Sequence, residues 1–262
     1  MLLALKRHWP EYLIEGFCLG LFMVSAAVCT TLIEHPASPI RHAMPDDLSR
    51  RILIGLAMGL TAVTLIYSPL GKRSGAHMNP AVTLTFWTLG KVESLDALFY
   101  VLSQFVGGLL GLLAVAPFIR SYLADSTVNY VVTVPGAQGP GVAFVAELVI
   151  SFGLMLVVLM VSNIKRIARF TGLFAGCLVA TYITLEAPLS GMSMNPARTF
   201  ASAVPALLWT QWWIYFTAPP IGMLLAARVY LWTRGANRVF CAKLHHDNPA
   251  RCIFHCRYGE AT

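Results

Sequence analysis

Two stretches of the chain, SGAHMNPAV at 74–82 and SGMSMNPAR at 190–198, share the core Met-Asn-Pro-Ala, with their asparagines 195 − 79 = 116 residues apart. Asparagine is a strong N-cap, and proline suits the first helical turn, where its missing N–H has no partner to lose. Asn79-Pro80-Ala81 and Asn195-Pro196-Ala197 therefore each predict a helix start. The apolar run behind Asn79 reaches Gly90, and a weaker run behind Asn195 ends near Pro205. At ~1.5 Å per residue, about ten to twelve residues cover roughly 15–18 Å, half of a ~30 Å hydrocarbon core. A single Asn-Pro-Ala arises easily by chance. Two copies, each preceded by Ser-Gly at the same offset in a chain that is 57% hydrophobic, are one motif written twice.

Charged residues make up 12% of the 262 residues and the mean hydropathy is +0.67, as expected of a polytopic protein whose solvent is mostly lipid. Six long apolar segments are read at about 12–33, 52–70, 96–118, 142–162, 170–189 and 211–233, with the half-spans after the second and the fifth. The predicted fold is all-α, with six transmembrane helices and two re-entrant half-helices. The net charge of +7 does not point to nucleic acid, because the basic residues fall in short loops and tails. Lys6/Arg7, Lys72/Arg73, Lys165/Arg166/Arg169 and Arg234/Arg238/Lys243 share one side if the spans alternate, which predicts that both termini are cytoplasmic. The first apolar stretch is long enough to span, so no cleavable leader is expected.

Each half holds three spans and one half-span. Three is odd, so the second half enters the membrane in the opposite sense and the repeats are inverted. We place repeat one at about 10–118, repeat two at about 141–234, the channel domain at 1–234 and a cytoplasmic tail at 235–262. Glu15 and Glu147 occupy matching places early in the first and fourth spans. Backbone leading into a half-span, expected to be non-helical over 71–78 and 190–194, is tolerated in a membrane only when buried in protein or lining water, which predicts an interior aqueous path. The link 119–141 reads as an outer crossover without chemistry of its own.

These features, together with Gln104-Phe-Val-Gly-Gly, resemble the aquaporin or major intrinsic protein family over about residues 10–234. The resemblance implies a passive channel for water and small neutral solutes, with no cofactor and no enzymatic activity. It also implies homotetramers with one pore per subunit, in a plasma or inner membrane. It assigns Asn79 and Asn195 to the pore midplane as donors to the permeant, His77 to the pore lining near the cytoplasmic mouth, and Arg198 to the selectivity filter. Matching the remaining filter positions puts Met58 where a strict water channel has Phe, Ile183 where it has His, and Met192 at the small position. That filter has one polar wall, which weakens the expectation of strict water selectivity. A facilitator of glycerol, urea or ammonia with low water flux is the alternative. Against it, Thr199, Ala203 and Tyr215-Phe216 depart from the glycerol branch's pattern.

A secondary transporter also uses broken helices but calls for paired intramembrane acids near the midplane, whereas Glu15 and Glu147 lie near span starts. An intramembrane enzyme needs a nucleophile with a base, or a metal cluster in the spans, and His77 is the only histidine near the midplane. Glu186, at the outer end of the fifth span, is either a functional carboxylate or a group that reaches water or caps the segment. The tail CAKLHHDNPARCIFHC carries thiols and imidazoles that suit Zn²⁺. Cys241, His245 or His246, Cys252 and Cys256 form a candidate tetrahedral set, with His255 as an alternative ligand; the other reading is a disordered polar tail.

Overall fold

Hydrophobic length sets the frame of this molecule. The computed structural model describes residues 2–246 and 248–259. In chain order its helices are α1 (Leu2–Glu34), α2 (Pro39–Ala43), α3 (Asp47–Tyr67), α4 (Pro69–Ser74), α5 (Pro80–Thr88), α6 (Ser94–Leu123), α7 (Pro140–Ser162), α8 (Thr171–Leu185), α9 (Ala187–Ser190), α10 (Pro196–Ala206) and α11 (Trp213–Arg234). Six spans, α1, α3, α6, α7, α11 and α8 taken with the turn Ala168–Phe170 that leads into it, are long and apolar enough to cross a membrane, and no strand occurs among the described residues. The half-spans are α5 and α10, and their N-caps are Asn79 and Asn195.

Three boundaries differ from the sequence reading. Helix α1 starts at Leu2 rather than near Tyr12, because two polar side chains ahead of that residue are tied to the bundle: Glu11 is fully buried and pairs with Arg73 at 2.9 Å, and the half-buried His8 bonds Asp96 at 2.9 Å. The fifth apolar segment is two helices. α8 stops at Leu185, since Pro188 has no N–H to offer the preceding turn, and α9 forms a separate turn. The approach to Asn79 is helical as far as Ser74: the Ser68 hydroxyl accepts from the Gly71 N–H at 3.0 Å and Gly75, at φ 100°, ends α4.

Packing repeats with the inverted symmetry. α1 lies on α6 in the first repeat, α7 lies on α11 in the second, and α3 pairs with α8 across the two. The α1–α6 approach depends on glycine. A Cβ on Gly107 would sit 2.1 Å from the Gly16 carbonyl oxygen, so only backbone meets backbone there. Each half-span leans on the last long helix of the opposite repeat, α5 on α11 and α10 on α6. The outward surface is aliphatic and aromatic, with Leu60, Leu110, Val145 and Phe17 all exposed, as hydrocarbon solvent requires.

Candidate pore site

Two buried carboxylates shape the loops that lead to the half-spans. Glu15 accepts from the Ser74 hydroxyl at 2.7 Å and from the N–H groups of His77 and Met78 at 3.0 and 2.6 Å. Glu147 accepts from the Ser190 hydroxyl at 2.8 Å and from the N–H groups of Ser193 and Met194 at 2.6 and 2.7 Å. Tyr100 and Tyr215 donate to the carbonyls of Ser74 and Ser190 at 2.7 and 2.6 Å. The backbone copies itself as well: Gly75, Ala76 and Met78 have positive φ, and so do Gly191, Met192 and Met194. Non-glycine residues hold that conformation only where their surroundings over-determine it. Here the carboxylates do so, by collecting the N–H groups that the left-handed turns point inward.

The caps follow. Asn79 Oδ1 accepts from the Ala81 N–H at 2.8 Å, and Asn195 Oδ1 accepts from the N–H groups of Ala197 and Arg198 at 3.0 and 3.2 Å. The amide nitrogens reach across the molecule. Asn79 Nδ2 donates to the Met194 carbonyl and Asn195 Nδ2 to the Met78 carbonyl, both at 2.7 Å. Each asparagine therefore caps its own helix and ties off a carbonyl of the opposite loop, and each amide keeps one further N–H.

A cavity of about 320 Å³ runs past this junction. It gathers Asn79, Asn195 and His77 together with all four sequence-predicted filter residues, Met58, Ile183, Met192 and Arg198, in a mostly aliphatic wall. One Arg198 guanidinium nitrogen is buried without a hydrogen-bond partner among the described residues. Thr199, next in sequence, bonds the hydroxyls of Thr133 and Ser193 at 2.8 and 2.6 Å, so α10 is fixed beside the arginine. His77 lies between Phe86 and Phe254, stacked on both, and its Nε2 donates to the Ala242 carbonyl at 2.9 Å.

Several lining residues escaped the sequence reading. The 119–141 link does contribute to the site: Val128, Val131 and Val132 line the cavity. They lie in an irregular segment without periodicity, so no pattern marked them. Arg51, near the start of α3, lines it too, with its Nε on the Thr184 carbonyl at 3.3 Å. Leu244 of the tail is the third surprise. Glu186 does not reach water: it is buried between α8 and α9, and neither carboxylate oxygen has a hydrogen-bond partner among the described residues.

The tail is folded over the bundle. Cys241, His246, Cys252 and Cys256 bring four possible metal-ligand atoms within 4.8 Å of one another. His245 and His255 stay out of this set. The ring of His245 packs edge-on against Tyr67 at 4.9 Å, and His255 bonds the Gly90 carbonyl and Glu93 at 2.9 and 2.7 Å. The thiol of Cys252 is pushed down by the hydrogen bond from Cys241, with His246 adding to the effect, while that of Cys241 is pushed up by the same bond and by burial. Such a set of thiolates and imidazole matches the donor preference of zinc.

The profile of the family described as Major intrinsic protein matches residues 6–230. The chain is 33% identical over 242 residues to the "Probable aquaporin AqpM" of Archaeoglobus fulgidus, covering 88% of this chain and 98% of that one. It is 35% identical over 179 residues to "Glycerol uptake facilitator protein-like 6" of Lactiplantibacillus plantarum, covering 67% and 82%. The fold is similar to the X-ray structure of the aquaglyceroporin from Plasmodium falciparum, with a TM-score of 0.68, 20% sequence identity, and 85% of this chain and 95% of that one covered.

Proposed function

The chain belongs to the major intrinsic protein family, whose members are passive membrane channels for water and small neutral solutes, and on that premise we propose that its permeant passes along the cavity from Arg198 to His77 with Asn79 and Asn195 at the midplane. The observation that carries this reading is the reciprocal pair of asparagine bonds, which leaves one amide N–H of each residue for a passing molecule. The N-termini of α5 and α10 add positive potential at the same level. Arg198 adds a full charge. Fixed positive charge along a narrow water file opposes cations and protons, a property described in general for aquaporin-type pores.

Selectivity follows from Met58, Ile183, Met192 and Arg198. With one polar wall, a water molecule stripped of neighbours has fewer replacement partners, so water entry costs more than in a filter with two. Flexible methionines can move aside for a larger neutral molecule. Water flux is therefore below that of a strict water channel, and at least one of glycerol, urea or ammonia also passes. The relative named as a glycerol uptake facilitator supports keeping the solute reading beside the water reading. Stopped-flow swelling of proteoliposomes with water, glycerol, urea and ammonia in parallel tests this. The Met58→Phe, Ile183→His double variant should raise the water-to-solute ratio, and a wild type that conducts water at full speed while excluding all three solutes would overturn the filter argument.

The remaining assignments belong to the same proposal. The channel domain is 1–234, divided into repeats at about 10–118 and 141–234, with 235–262 as a cytoplasmic tail. Both termini face the cytoplasm, by the basic residues near the ends of the spans. The protein acts as a homotetramer in a plasma or inner membrane, without catalysis. Transport needs no cofactor, and zinc, where bound, is structural and sits in the tail.

A further inference from the structure

Residues 239–246 and 248–256 fold back over the mouth of the cavity at its His77 end. The Ala242 carbonyl takes the hydrogen bond from His77, the Leu244 N–H donates to the Gly75 carbonyl at 3.1 Å, and the ring of Phe254 stacks on His77 with centroids 5.4 Å apart. The other attachment is to the second repeat, where the Phe240 N–H donates to Asn163 Oδ1 at 2.7 Å, just past the end of α7. The tail thus bridges both repeats across the mouth. Cys241, Ala242, Lys243 and Leu244 are all buried, and Leu244 forms part of the wall of the cavity that also holds Asn79 and Asn195.

Residues 239–256 contain neither helix nor strand among those described, so regular backbone ladders do not hold this segment. A short irregular unit of this kind is commonly stabilised by a metal or another cross-link. The four ligand atoms supply such a staple. With zinc–sulfur bonds of ~2.3 Å, tetrahedral ligands stand about 3.8 Å apart. The sulfurs of Cys241 and Cys252 are 3.5 Å apart, and all four ligand atoms fall within 4.8 Å. The outer shell also suits thiolates. The N–H groups of Lys243 and Tyr258 point to the sulfurs of Cys241 and Cys256 at 3.5 Å, the ring of Tyr258 stacks on His246, and Lys243 Nζ ties the carbonyls of Ala250 and Arg251 into the loop.

We propose that the tail is a zinc-clasped cap: with the ion held by Cys241, His246, Cys252 and Cys256, Leu244 stays in the cytoplasmic mouth and restrains flux, and loss of the ion releases it. The inference rests on the reading that the permeant passes His77. Ion binding displaces thiol protons and involves no redox change.

The test uses the full-length protein purified under reducing conditions. One half is stripped with a zinc chelator before reconstitution, and both halves are compared for zinc content and for stopped-flow water permeability. Near-stoichiometric zinc is expected, with permeability several-fold higher after stripping and returned to its starting value by zinc but not by magnesium. Cys252→Ser should lose the ion and conduct fast without stripping. Leu244→Gly should keep the ion and still conduct fast, which separates the cap from the clasp. Zinc-free protein, a Cys241–Cys252 disulfide in the reduced preparation, or a channel that conducts fast with zinc bound and no faster after stripping overturns the cap. Folded protein that stays closed when stripped and in the Leu244→Gly variant overturns instead the path past His77.

Discussion

Asn79 and Asn195 each do two jobs with one amide, and only the first was legible locally. Capping is a short-range property: the oxygen meets an N–H two residues on, so the tripeptide announces it. The second bond spans 115 residues from Asn79 and 117 from Asn195, beyond any local pattern. Replacing either by Ala should cost about 1 kcal/mol for the cap. A further loss comes from the stranded carbonyl opposite, and water flux should fall. Because the two side chains share one junction, the double variant should lose less than the sum of the singles, as measured by denaturant unfolding in detergent and by proteoliposome flux. Strict additivity, or single variants with wild-type flux, would remove the junction from the mechanism. Glu15 and Glu147 were visible as acids in apolar spans, but their task depends on the left-handed turns at Met78 and Met194, which the sequence does not advertise.

Helix existence was readable because six runs are long and apolar, and the half-spans because Asn-Pro fixes where each begins. The single turns α4 and α9 were not, since a turn of four to six residues has no periodicity of its own. The folded tail escaped for a related reason. Its partners are Gly75, His77 and Asn163, all remote in sequence, so composition alone left both a metal site and a disordered segment open. Pairing between elements leaves a clearer trace. Gly16 and Gly20 on α1 face Gly107 and Gly111 on α6, where the backbones touch. Gly107→Leu should force α1 from α6, since the clash is with backbone that cannot rotate away. It should lower the yield of folded protein and its thermal midpoint far more than Gly141→Ala, whose added Cβ meets nothing within 4 Å. Equal stability of the two variants in a detergent thermal-shift assay would contradict the close packing of these helices.

At the scale of the whole molecule, the inverted arrangement points two half-helix N-termini at one level and places Arg198 on the same cavity wall. On the proposed path, the charge barrier has two sources, one distributed and one localised. Removing the localised one by Arg198→Val should raise the decay rate of an imposed pH gradient in proteoliposomes while water still passes. An unchanged proton leak in a folded variant would assign the barrier to the half-helices alone. The crossed asparagine bonds also bear on the order in which the chain is made. The N-terminal half emerges first, and until the second half arrives the Met78 carbonyl has no Asn195 to meet and the Asn79 amide has no Met194 carbonyl. In hydrocarbon such unmet groups are costly, so the first loop has reason to wait in contact with water or with the insertion machinery rather than seal early. Completion of the second loop closes both at once, and a nascent chain stopped before residue 195 should leave residues 75–79 open to a water-soluble label that the finished protein excludes.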